Sequence, residues 1–246
     1  MEQNRDDYKI LEKELAVWEK EMTKMPSVAK ILTKNVQLKV HELTPDKIQD
    51  IITTSIQTMT KLVLTGSSLL TKTKISKNLS MPECDALVEA LYPTYHKAAI
   101  AQGVGFGLGG FLVNLADLPA LLTVQVKFLF DCCKCYGFDP DTPTERYFML
   151  QVFHLAYSSS QRRKHVFRII KNWEREQPVP NWEKIQKEYR DYLDIAKLLQ
   201  VLPLVGVVAG VHANHKLMKT LKQTAMNAYR LRMMSSATKP SCTSSR

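Results

Sequence analysis

Apolar residues recur at three- and four-residue spacing along most of the chain, the period of helices that bury one face. Tyr8, Leu11, Leu15, Trp18, Met22 and Met25 form one seam on an otherwise charged stretch. That seam predicts an N-terminal helix docked onto a larger body and ended by Pro26. Thr44-Pro45-Asp46 predicts the next start, with threonine as N-cap and proline in the first turn. Ile48, Ile51, Ile52, Ser55, Met59, Leu62 and Val63 would be its buried stripe, and Gly66 its end. Residues 66–80 are polar and predict a loop. Ser80 and Glu83 stand at capping-box spacing before a helix that Pro93 should break or kink. A further helix is expected over 118–136, capped by Asp117, with Gly137 beyond its end. Thr142-Pro143-Thr144-Glu145 is a second capping box, opening an apolar helix. Over 162–173, Val166, Phe167, Ile169, Ile170 and Trp173 alternate with cations and predict a basic amphipathic helix. After Pro178 and Pro180, helices are expected over 182–199 and up to about residue 234. A weak strand-like alternation occurs at 36–40. The pattern predicts an all-α fold, a single multi-helix domain over 1–234, with a disordered Ser/Thr-rich tail at 235–246.

Two segments stand apart. Residues 98–116 carry no charge and hold glycine at 103, 105, 107, 109 and 110; residues 198–211 are a shorter apolar run with Gly206 and Gly210. A glycine inside a helix costs about 1 kcal/mol relative to alanine, so something must offset five of them. Ala99, Gly103 and Gly107 share one helical face, and Gly206 and Gly210 repeat the spacing, as in close small-residue packing. The two segments are therefore expected to pack together, with Gly103, Gly107, Gly110, Gly206 and Gly210 as packing or membrane contacts. A full crossing needs about 20 apolar residues. The first run is borderline and the second too short, which leaves shallow insertion into lipid and a buried hairpin as the open readings. Gly105-Phe106-Gly107-Leu108-Gly109-Gly110 matches a dinucleotide fingerprint formally, but no strand precedes it, and no cofactor is expected.

Charge adds a direction. The 246-residue chain carries a formal +10, and after Asp194 it has eight cations and no acid. Such asymmetry points to an anionic partner. Arg162, Arg163, Lys164, Arg168 and Lys171 are the candidate contacts to an anionic surface. Nucleic acid is not expected, because the aromatic residues sit on apolar faces rather than among the cations. The charged beginning of the chain predicts no signal peptide, and five cysteines are then read as reduced thiols.

Catalytic and metal chemistry find little support. Asp117, Asn114 and Asn214 are the candidate functional polar residues. Asp117, between two apolar runs, reads as a general base or as a helix cap, and the cap asks less of its surroundings. Cys132-Cys133-Lys134-Cys135 contains one C-x-x-C without a second ligand pair, and His212 and His215 lack an acidic third ligand. No catalytic, cofactor-binding or metal-binding residue is assigned.

The Trp18 helix, TPDKIQDIITTSIQTM, GFGLGGFLVNLADLP, KFLFDCCKCYGFDPDTPTERYFMLQVF, YRDYLDIAKLLQVLPLVGVVAGVHAN and AMNAYRLRM together resemble the EcsC family of bacterial proteins over roughly residues 8–234. The resemblance implies a cytoplasmic, membrane-associated accessory or binding role, because the family is named for genes that accompany an ABC transporter. It supplies no catalytic residues. The expected partners are the anionic inner face of the cell membrane and an ABC transporter subunit. The rival expectation is a membrane-associated hydrolase with an acid/base site near Asp117 and His154.

Overall fold

A computed structural model of the chain describes residues 2–24, 46–66, 71, 73–104, 118–158, 160–180 and 207–237. Among these residues it is all helix and turn, without strands: α1 (Glu2–Thr23), α2 (Asp46–Thr65), α3 (Met81–Val104), α4 (Leu118–Cys135), α5 (Pro143–Tyr157), α6 (Ser160–Lys171), the single turn α7 (Trp173–Glu176) and α8 (Val207–Ala237). They form one all-α domain. Most of glycine-rich 98–116, the 182–199 helix and the 238–246 part of the expected tail lie outside the described residues.

Local signals place the helix ends. The Ser80 N–H and hydroxyl both donate to the Glu83 carboxylate, at 2.7 and 2.6 Å, where α3 begins. Thr142 caps α5 by accepting the Glu145 N–H at 3.2 Å, with Pro143 in the first turn. Glu145 does not close the box; its carboxylate turns inward to Arg232. Gly66 and Gly137 follow α2 and α4 with φ of +96° and +82°, the left-handed conformation that glycine adopts without a Cβ penalty. Arg146 closes the α2 end by donating to the Leu64 carbonyl at 2.6 Å. Two boundaries differ from expectation. α3 runs through Pro93, whose missing N–H forfeits one helical bond while packing on both flanks holds the helix together. The basic helix stops at Lys171, and Trp173 belongs to the separate turn α7.

α3 is the central element, packed most extensively against α8 on one side and α4 on the other. Both neighbours run antiparallel to it. Along α3 and α8 the pairs are Asp85 with Arg230, Glu89 with Lys222, His96 with His215, and Ala99 with Asn214. Along α3 and α4 they are Asp85 with Tyr136, Tyr95 with Asp131, and Tyr92 with Phe128. The Tyr157 hydroxyl, at the end of α5, donates to the Leu217 carbonyl of α8 at 3.0 Å. The docked seam of α1 buries Leu15 and Trp18, with Trp18 edge-on to Phe167 of α6 at 5.4 Å.

This register decides what lies at each end of the bundle. Val104, Leu118 and Val207 come to one end, so residues 105–117 and the segment preceding α8 both join the body there. The end of α5 and the start of α6 lie at the same end. The opposite end holds the aromatic core of Tyr136, Phe138, Phe148, Trp173 and Tyr229, with ring centroids 4.9–5.6 Å apart.

Candidate functional site

The five cations proposed on α6 are together on one short helix but not in one environment. Arg162, Lys164 and Arg168 are exposed, and Arg163 is half-buried. Burial pulls the Arg163 guanidinium below its ordinary pKa, and Glu21 of α1 opposes the shift. Lys171 is tied to Glu19 at 2.5 Å. Val166, Phe167 and Ile170 are buried in the body, so α6 offers its surroundings charge and not an apolar face. Arg162, Arg163 and Lys164 occupy its first turns, where the helix dipole is positive and each cation is disfavoured by a few tenths of a kcal/mol to about 1. A helix selected only for stability would carry acids there.

The acid-free C-terminal helix is less open than its composition suggests. Arg232 is buried and bidentate to Glu145 at 2.6 and 2.8 Å, bonds Glu174 at 2.8 Å, and lies over the rings of Phe138 and Phe148. Arg230 pairs with Asp85 at 2.9 Å, and Lys222 with Glu89 at 2.7 Å. Their acids come from earlier helices, which linear counting could not match to them. Lys216 and Lys219 remain exposed, on the half of α8 nearest the glycine-rich segments.

Among the remaining candidates, Asn214 is buried and donates to the Ala99 carbonyl at 2.9 Å. Continued by one turn, that register brings Gly103 of α3 level with Gly210 of α8. Gly107, Gly110, Gly206, Asn114 and Asp117 lie outside the described residues. His154 is buried in α5. His215 meets His96, ring nitrogens 2.7 Å apart, in a pair that residue spacing did not reveal. Burial first, then His215 and Lys222, pull the His96 pKa below its usual value.

The other polar groups of the interior lock helices together. Tyr95 donates to Asp131 and Tyr136 to Asp85. Cys84, Cys132, Cys133 and Cys135 are buried free thiols, with burial pushing Cys84 up to about 11 and Cys135 up to about 12. Thiols so disfavoured as thiolates are poor nucleophiles and poor ligands. Among the described residues no three of His, Cys, Asp and Glu gather where they could hold a metal. The gap between α2, α4 and α5 is lined wholly by apolar side chains, including Met59, Leu129 and Phe153, and is too tight to admit water. Among the described residues no helix is long and apolar enough to cross a membrane.

The EcsC protein family matches residues 9–234 of this chain. Protein EcsC of Bacillus subtilis (strain 168) is 40% identical over 228 residues, covering 93% of this chain and 97% of the relative. The uncharacterized protein YdbA of the same strain is 28% identical over 246 residues, covering 89% and 90%. No solved structure matches the chain.

Proposed function

Because the chain belongs to the EcsC protein family, we propose that it is an accessory or binding protein, peripheral on the inner face of the cytoplasmic membrane and linked to an ABC transporter. Family membership supports the transporter link, since the family is named for genes that accompany an ABC transporter. Membrane attachment is supported by one observation above all: Arg162, Arg163 and Lys164 crowd the positive end of α6, at a cost in helix stability that an anionic partner would reverse. Anionic headgroups fit, since each nearby Lys or Arg contributes roughly 1 kcal/mol of attraction within a Debye length of about 8 Å. The glycine-rich apolar segments add a part that salt does not screen.

Cell fractionation tests this reading. The protein should sediment with membranes, and a high-salt wash should release part of it. Replacing Arg162, Arg163, Lys164 and Arg168 by glutamine should release more. A wild-type protein found wholly in the soluble fraction would contradict membrane attachment. Co-purification with a transporter subunit tests the second half of the proposal.

A further inference from the structure

We infer that the bundle stands end-on to the bilayer, with Lys97 of α3 and Lys216 and Lys219 of α8 contacting the same anionic headgroups as α6. The inference rests on the membrane reading above and adds an orientation, a face and three residues that the sequence did not single out as a group.

The observation is a charge polarity along the bundle. All the acids of α3, Glu83, Asp85 and Glu89, lie in its first nine residues, so the stretch toward Val104 has none. In α4 the one acid is Asp131, near its far end; in α5 it is Glu145, in the first turn; α6 and α8 have none. The antiparallel register puts Glu83, Asp85 and Glu145 at the end away from the glycine-rich segments, and Glu89 and Asp131 toward the middle of the bundle. All are engaged, by Arg230, Arg232, Lys222, Tyr95, Tyr136 and Ser80.

Toward the other end, the acids among the described residues are Glu21 of α1, which faces Arg163, and Asp46 and Asp50 of α2. Glu19 is engaged by Lys171, two residues from Trp173 at the far end. Lys97, Lys216, Lys219, Arg162 and Lys164 are exposed on this half of the bundle, distributed over three helices. A planar anionic surface is the partner that engages cations on three helices at once. The uncharged runs that join the bundle at this end favour a bilayer over a nucleic acid, which would gain nothing from them.

The test measures partition of the purified full chain onto vesicles of phosphatidylglycerol and phosphatidylcholine at low salt. Changing Lys97, Lys216 and Lys219 together to glutamine should weaken binding by about 100-fold, roughly five-fold for each cation removed. The matched control changes Lys13, Lys74 and Lys77, which are exposed at the opposite end, and should bind like the wild type. All six positions are exposed, and thermal melts verify that both variants fold. Equal weakening by the two triple variants would overturn the orientation, leaving undirected attraction. Loss of binding in the α6 quadruple variant with no loss in the Lys97 triple would overturn it while sparing the membrane reading. Absence of wild-type binding would remove both. Binding to a random oligonucleotide as tight as to vesicles would assign this end to nucleic acid instead.

Discussion

Asn214 of α8 donates its side-chain N–H to the Ala99 carbonyl of α3 at 2.9 Å, with both residues buried and 115 positions apart in the chain. This bond fixes the antiparallel register that brings both glycine-rich segments to one end. Asn214→Ala should destabilise by about 1–3 kcal/mol, through the lost bond and the space left behind. Asn214→Asp should be at least as costly, because a buried carboxylate cannot donate. Urea denaturation midpoints measure both. Unchanged midpoints would mean that apolar packing alone sets the register.

Arg232 fastens the opposite end, joining α8 to α5 and α7 through Glu145 and Glu174. Breaking a buried ion pair from one side costs about 3–5 kcal/mol, because the remaining charge is left uncompensated. Arg232→Met should fall in that range. Arg232→Lys should also be costly, since an ammonium cannot bond the carboxylate in a bidentate fork. The double change Arg232→Met with Glu145→Leu should recover much of the loss. A double variant no better than Arg232→Met would place the energy in the stacking on Phe138 and Phe148.

Helix period and caps were legible because both are local. Ser80 with Glu83, Thr142 with Pro143, and the Leu15–Trp18 seam lie within a few residues of what they organise. The partners of Arg230 and Arg232 were not legible, since Asp85 and Glu145 are 145 and 87 positions away. Counting charge along the chain therefore overstated how cationic the last helix is on its surface. Pro93 does not break α3, because packing on α4 and α8 outweighs the one helical bond that its ring forfeits. Asn214 was a candidate functional polar residue, and the structure places it in a helix contact. The candidate cations of α6 could be grouped from sequence because they lie on one short helix, with Arg162, Arg163 and Lys164 in succession. Lys97 escaped notice because only the fold sets it near Lys216 and Lys219.

The His96–His215 pair predicts a pH dependence. One ring donates and the other accepts, and a proton added to His96 must be carried against its burial and beside His215 and Lys222. The folded pKa of His96 therefore lies below the ordinary 6.5, and between those values the unfolded chain binds more protons. Stability from this pair is therefore full above about pH 6.5 and falls as the pH drops through that window. Wild-type and His96→Asn stabilities, compared from pH 7 to pH 5, should show a shallower decline in the variant. Parallel declines would exclude the pair as a source.

The most direct measurement of end-on docking puts a fluorophore at either end of α3. Ala101→Cys and Leu87→Cys place a thiol at exposed positions near and far from the glycine-rich segments, in a chain with Cys242 changed to serine and its four other cysteines buried. On phosphatidylglycerol vesicles carrying headgroup quenchers, the label at 101 should be quenched and the label at 87 should stay bright. Equal quenching at both positions, or stronger quenching at 87, in protein shown to be vesicle-bound would contradict the docking of this end.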